Sequence, residues 1–563
     1  MTSTALNSPP HSKGIKKAVA VGVLFMLESV VAQPTPGDIS RQVEPVRVPE
    51  LPALKLEPHR MTLPSQPEPG AQVVRVQRWV FEGNQALSSE VLQALLQPFS
   101  AVDVSLTQIR EAAAVVQQAY DDAGWLARVD VPPQDITSGL LRLQITEARL
   151  GQIQLDASAT TLVDPERVKA FVQAQQPVGQ PLHVPSLDRG LLLADDLSGV
   201  SVAGTLKASA QRGATDVLLK AAAEPAYGIE VSVDNGNARS VGANKLSISG
   251  TWVSPAGYGE SYSAQAFKSE GAEYLRASAS APLGYSGLRG SVNLSQLDYK
   301  VVTPDAAGLA QNISGRSQSL GVDLIYPLLR SRPANLYLTA GLDERRYRGQ
   351  ANGEQNSHYR IEGGQVGLAG NFFDGLGGGA ANSYSLTWRH GQVKSGQVAV
   401  NEEVVGRFQK LNWSLSRQQA VNSAVSVFAA INGQSTGSKA LDGSENFSLG
   451  GPSGVRAYPV GEASGPQGHV VNLEVRYRIN SQWLVTPFYD RGRIEKRTAD
   501  NLRSYSLEGA GVSVSWTGPA GWTAKGTYAR RMGDNPNADI TTGKDQDGSL
   551  SKDRVWLTVS RSF

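Results

Sequence analysis

Few residue groupings in this chain of 563 residues could carry out bond chemistry. The stretch Gly433-Gln-Ser-Thr-Gly437 has the G-x-S-x-G spacing of a nucleophile elbow. Such an elbow needs a strand before it, a helix after it and a histidine base within reach. Here it falls at a strand end, and the histidines at 11, 59, 183, 358, 390 and 469 form no i, i+4 pair. Asp121-Asp122 and Asp195-Asp196 read as solvated helix ends rather than acid/base pairs. Asp234-Asn235-Gly236 resembles the start of a Ca²⁺ loop but lacks the later ligands, so it reads as a turn. No Gly-rich segment closes on Lys-Ser/Thr to cradle a phosphate, and no cysteine offers a thiolate. No cofactor, metal or nucleotide site is expected, and the chain is not expected to be an enzyme.

Two segments place charges in more pointed settings. Residues 450–465, "GGPSGVRAYPVGEASG", form a long Gly- and Pro-rich loop that sets Arg456 between Val455 and Ala457-Tyr458. In "TPFYDRG", residues 486–492, Thr486, Phe488, Asp490 and Gly492 share one face of a strand, whereas Val485, Pro487 and Tyr489 share the other. Asp490 therefore points away from the apolar face. A guanidinium fork suits a carboxylate bidentately, yet these residues alone leave open an exposed loop arginine and a turn aspartate.

The elements that position these residues follow from the chain's organisation. Lys13, Lys16 and Lys17 precede an apolar run over 18–27, and Val30 and Ala32 match a small-residue cleavage site. Residues 1–32 are therefore read as a secretory signal peptide. Residues 33–70 are dense in Pro and read as an extended linker, with helix conceivable only at "DISRQVE". Net charge is +2, which gives no argument for a nucleic-acid partner.

Residues 71–150 have the order β-α-α-β-β, with Ser105 and Gln108 as a capping box for the longer helix. Residues 151–225 repeat that order, with Asp164 capping a helix whose first residue is Pro165. From 226 onward, short alternating strands replace helices. In "VVNLEVRYRI", Val471, Leu473, Val475, Tyr477 and Ile479 share one face and Asn472, Glu474, Arg476 and Arg478 the other. One apolar and one charged face fit a membrane barrel wall, and equally a sandwich. About 16 strands can be drawn across 226–563, enough for tilted spans of ~10 residues with their loops. The chain ends on "RVWLTVSRSF", whose apolar row is broken by Arg561 before the terminal Phe563.

Taken in order, these motifs resemble the outer-membrane transporters of two-partner secretion, the TpsB family. "FEGN" with "PPQDITSGLLRLQITEA" resembles its first POTRA domain, and "LDRGLLLADDLSGVSV" its second. "VDNGNARSVGANKL" resembles the first barrel hairpin. Residues 455–458, Val-Arg-Ala-Tyr, resemble the VRGY-type motif of the sixth extracellular loop, taken as 447–469. Phe488, Asp490 and Gly492 match the F-x-D-x-G strand motif. Ala457 departs from the family's usual Gly, and Pro466 stands where an acidic residue is common.

The resemblance implies α+β periplasmic POTRA domains followed by a transmembrane antiparallel β-barrel. It implies a sixth loop folded into the lumen with Arg456 paired to Asp490, and Phe563 as the C-terminal barrel signal. It also implies export of a dedicated exoprotein of adhesin, haemolysin or toxin type, with an N-terminal secretion domain and in some cases activation of that haemolysin. The remaining partners are outer-membrane lipid and the barrel assembly machinery for insertion. POTRA strand edges would capture the unfolded exoprotein by β-augmentation. The family often carries a plug helix before the first POTRA domain, but the Pro-rich linker leads us to expect none here. The rival readings are a barrel-assembly insertase and a passive porin.

Overall fold

The computed structural model describes residues 35–43, 73–135, 138–211, 213–303, 312–396, 402–438, 440–497 and 502–563. The signal-peptide reading and most of the Pro-rich linker lie outside the described residues. The described part of that linker is helical at the one place where helix was conceivable, "DISRQVE", which corrects the extended reading there and the expectation of no helix before the first POTRA domain. Helix α1 (Pro36–Val43) is formed there, with Ile39 and Val43 buried. Pro density misled because Pro36 occupies the first helical position, where its fixed φ helps and its missing N–H costs nothing. Thr35 supplies the cap: its Oγ1 accepts the Asp38 backbone N–H at 3.1 Å, and it donates to the Asp38 carboxylate at 2.8 Å.

In the first POTRA domain, Leu140–Glu147 is the central strand, parallel to Arg78–Glu82 and antiparallel to Ala127–Asp130. Helices α2 (Ser89–Leu95) and α3 (Leu106–Asp122) pack on it around Trp79, Val116, Tyr120, Leu141 and Leu143. The Ser105–Gln108 capping box is formed as read. The opening stretch is two strands rather than one: Val73–Arg75 pairs instead with Asp103–Ser105, a three-residue strand too short to show a period. The second domain has helices α4 (Pro165–Gln175) and α5 (Val184–Asp195) against the sheet Arg149–Leu155, Ala214–Ala223, Val200–Ala208.

Sixteen antiparallel strands, from Tyr227–Asp234 to Asp553–Ser562, close into a barrel. Alternation sets the two faces: Leu473, Val475 and Tyr477 are exposed outward at 43%, 44% and 48%, as a lipid-facing wall requires. Closure runs through the register Thr558↔Asp234 to Ser562↔Glu230. Asn235 extends it: its amide donates to the Val555 carbonyl at 2.9 Å and accepts from the Leu557 N–H at 2.7 Å. The Asp234-Asn235-Gly236 turn is thus a clasp on the barrel seam. Phe563 adds its backbone N–H to the Ile229 carbonyl at 2.8 Å. Arg561, which breaks the apolar row, lays its guanidinium over the rings of Trp522 and Phe563, so an aromatic surface covers it.

The first barrel strand leaves the second POTRA domain, so the turns after even-numbered strands are periplasmic. The POTRA domain is fixed to them. Asp196 takes Nε and Nη2 of Arg330, each at 2.8 Å, and Asp188 takes Arg332 at 2.9 Å. Arg189 donates to the Pro327 carbonyl at 2.7 Å, and Arg167 sits over the rings of Tyr258 and Tyr285.

Candidate functional site

The eleventh barrel strand ends at Thr436 and the twelfth begins at Gln467. The long loop is therefore 437–466, not 447–469, because His469 already pairs with Gly433 and Arg493 in the barrel wall. This loop turns inward. Leu449, Val455, Ala457, Tyr458 and Ala463 pack against Val470, Phe488, Ile494, Leu507 and Ala529, the inward residues of the wall.

Arg456 is buried and reaches the fully buried Asp490 twice, by Nε at 2.8 Å and by Nη2 at 2.7 Å. Its backbone N–H adds a third contact at 3.0 Å, and Nη1 reaches Glu474 at 2.9 Å. The guanidinium also stacks on Phe488, 3.5 Å from the ring centroid. Asp490 accepts a further bond from Asn472 at 2.8 Å, and the Arg456 carbonyl accepts the Trp556 indole N–H at 2.8 Å. Burial works against the Arg456 charge, but Asp490 and then Glu474 outweigh it and raise its pKa.

Two glycines make room for the motif. A Cβ at Gly492 would lie 2.8 Å from the Leu449 side chain and 3.1 Å from that of Val455. A Cβ at Gly509 would lie 2.4 Å from Cβ of Ala457. The extra methyl of Ala457 is thus matched by a glycine on the facing strand. Tyr458 is fully buried beneath the Arg531 guanidinium.

Two further anchors were not read from the sequence. Glu445, 1% exposed, draws Lys410 at 2.8 Å and Arg389 and Arg345 each at 3.2 Å, from three strands of the wall. Asp343 bridges two of these, Arg389 at 2.5 Å and Arg345 at 3.0 Å. Burial pushes the Glu445 carboxyl up, yet Lys410, Arg389 and Arg345 outweigh it and hold it well below the usual range. Glu462 is fully buried and accepts the side-chain amides of Asn535 and Asn537 and the Gln546 N–H, at 3.0, 2.9 and 2.9 Å. These donors lie on the last long loop, between barrel strands Trp522–Arg531 and Asp553–Ser562. Burial raises the Glu462 carboxyl despite those bonds. The available signal was alternation: Asp343 and Arg345 both fall on the inward face, where a charge needs a partner. Pro466 carries no acid, and the buried acid nearest to it in this loop is Glu462.

Helix α1 fills the lumen beside this loop. Ile39 and Val43 sit among Phe267, Tyr274, Leu297 and Tyr299, inward residues at the extracellular ends of the third to fifth strands. Arg41 Nε donates to the Gly443 carbonyl at 2.8 Å. A Cβ at Gly37 would lie 2.4 Å from the Asp442 carboxylate and 2.9 Å from the Ser444 nitrogen, so helix and loop are in direct contact. Burial raises the Asp442 carboxyl. Ser435 of the G-x-S-x-G stretch lies inside strand Val425–Thr436, paired with Leu411, and not at a strand-to-helix turn.

Known proteins share this arrangement. The family described as "Haemolysin secretion/activation protein ShlB/FhaC/HecB" matches residues 213–518, and the ShlB-type POTRA domain matches 74–148. The heme/hemopexin transporter protein HuxB of Haemophilus influenzae is 24% identical over 98% of this chain and 99% of that protein. The outer membrane transporter CdiB of Escherichia coli O6:K15:H31 is 25% identical over 78% of this chain and 76% of its own. Among solved structures, CdiB from Escherichia coli superposes with a TM-score of 0.76 at 21% identity, covering 89% of this chain and 93% of that one. CdiB from Acinetobacter baumannii gives 0.67 at 18% identity, covering 88% and 91%.

Proposed function

The chain belongs to the haemolysin secretion/activation protein family ShlB/FhaC/HecB, and from that premise we propose how it moves its exoprotein. It is an outer-membrane translocator of two-partner secretion with its POTRA domains in the periplasm. The cargo is an unfolded secreted protein of adhesin, haemolysin or toxin type with an N-terminal secretion domain, received on POTRA strand edges. Helix α1 then leaves the lumen, and the exported chain passes through the barrel. The work is binding and gating rather than bond chemistry. It needs no nucleotide, and folding of the cargo outside gives direction. The chain itself enters the lipid with the help of the barrel assembly machinery.

The observation that carries this reading is how the lumen is filled. Helix α1 is one short element held by a small apolar cluster and by contacts to the loop. Such an element can be displaced without breaking the barrel wall. The Arg456–Asp490 pair, by contrast, ties the loop to the wall and keeps it positioned while α1 moves.

The test is secretion of the exoprotein paired with this chain, followed in medium and periplasm with and without the chain. We expect export only when it is present, and strong loss with Arg456→Ala while the barrel still inserts. Normal secretion by Arg456→Ala would sink the role of the pair. Unchanged cargo outside, with other barrels lost from the outer membrane, would favour an insertase.

A further inference from the structure

The outer wall carries an ordered charge pattern that translocation does not use. On the sixth strand, the outward residues Leu320, Val322, Leu324 and Leu328 are all exposed. That run, 320–328, matches the ~9–11 residues of a tilted membrane-spanning strand. The next outward residues toward the extracellular end are Gln318 and then Arg316. Neighbouring strands change character at the same height. Leu275 and Leu294 give way to Glu273 and Asp298, and Leu342 gives way to Arg346 and Arg348. The charged row therefore sits at the outer boundary of the hydrocarbon.

Within it, like charges face each other. Arg316 is directly opposite Arg348 on the next strand, and Arg346 is opposite Arg360. Like charges in cross-strand register are destabilising. The far wall does the reverse: Arg491 is opposite Glu508 and Arg530 opposite Asp553. Carboxylates relieve part of the near wall. Lys268 pairs with Glu273, Arg316 with Asp298, Arg346 with Glu344 and Arg360 with Glu362. Lys300 and Arg348 are exposed and carry no carboxylate partner among the described residues. A groove of about 620 Å³ on this wall is lined by Lys268, Lys300, Arg316 and Arg348 and by the carboxylates Glu270, Glu273 and Asp298, of which Glu273 is taken by Lys268 and Asp298 by Arg316. A second of about 480 Å³ lies next to it, on Leu275, Leu294 and Leu320 with Gln296, Gln318 and the paired Glu344 and Arg346 at its edge.

A groove that holds two unpaired cations, Lys300 and Arg348, above an apolar one at the level of the headgroups fits an amphiphile with an anionic head. We propose that the outer wall of the fourth to seventh barrel strands binds a phosphorylated glycolipid of the outer leaflet. Its phosphates sit between Lys300, Arg316 and Arg348, and its acyl chains lie along Leu275, Leu294 and Leu320. A phosphate at Lys300 and Arg348 gives each cation the anionic partner it lacks, as two charge-assisted contacts, and the Arg348 guanidinium fork suits phosphate oxygens.

The full chain, purified in neutral detergent, is titrated with diphosphoryl lipid A, with its enzymatically dephosphorylated form and with phosphatidylcholine, and binding is read by native mass spectrometry. We expect lipid A to bind at least about tenfold more tightly than the dephosphorylated form, as two lost charge-assisted contacts imply. Lys300→Gln/Arg348→Gln should lower lipid A binding by a similar factor. Arg491→Gln on the far wall should leave it unchanged. Heat-modifiable migration on gels checks that each variant is a folded barrel. Equal binding of the phosphorylated and dephosphorylated lipids by the unmodified chain overturns the proposal even if a variant fails to fold. So does a folded double variant that binds as the parent does.

Discussion

Replacing Arg456 by Lys keeps the charge and removes the fork. Arg456 reaches two carboxylates at once: Nε and Nη2 on Asp490, Nη1 on Glu474. A lysine ammonium is a single point on a flexible stem and serves one of them. Its stack on Phe488 is lost as well. The backbone N–H to Asp490 at 3.0 Å remains, as does the Asn472 amide, so the aspartate is not stranded. Three charge-assisted bonds are lost and the new ammonium contact replaces one, so two go unreplaced at about 1.5 kcal/mol each, the lower end for bonds to charged groups. The net is about 3 kcal/mol, or roughly a hundredfold shift toward an undocked loop.

The assay has two readouts. In planar bilayers, Arg456→Lys should show more frequent and larger openings than the parent. In cells, exoprotein export should fall, because a loop that leaves the wall obstructs the path. Asp490→Asn should behave alike. A lysine variant whose conductance and secretion match the parent would refute the claim that fork geometry, rather than charge, holds the loop.

The other anchors make their own predictions. Glu445→Gln leaves the buried Lys410 without a carboxylate, while Asp343 still holds Arg389 and Arg345, at a cost of about 3 kcal/mol, the lower end for breaking a buried pair. Segment 440–448 should then become protease-sensitive on intact cells. Gly509→Ala should impair secretion through its contact with Ala457, and Ala457→Gly in the same chain should restore it, a coupling that a double-mutant cycle measures. The docked state raises the carboxyls of Asp442 and Glu462, so it binds protons that the undocked state releases. Their contribution to docking is full below the ordinary carboxylate pKa and is lost as pH rises through the raised values. Openings in bilayers should therefore be rarer at about pH 5 than at about pH 8, and Asp442→Asn should flatten that dependence.

Alternation carried most of what was legible beforehand. It assigned Asp490, Asn472 and Glu474 to the inside because a period of two is robust over a whole strand. The Arg456 partner was not legible in the same way, since nothing local relates a loop residue to a strand 34 positions away; resemblance supplied it. Helix α1 is masked in the sequence by the Pro density that follows it, although Thr35-Pro36 is a start signal and Ile39 and Val43 are one turn apart. Glu445 and Glu462 looked like ordinary loop acids. Their burial depends on cations and amides contributed by distant strands and loops, which no window along the chain contains.

Helix α1 precedes in sequence everything it packs against, and its contact with Gly443 spans 402 residues. That has a consequence for assembly. The seat of the helix consists of inward residues from the third to fifth strands and of a loop that the twelfth and thirteenth strands hold in place. None of this exists until the wall has been built around it. Arg456 in turn leans on Trp556 of the last strand. Contacts so far apart along the chain form late, because ring closure must come first. The newly inserted barrel therefore passes through an unstoppered stage, and the first described helix is among the last elements to reach its place.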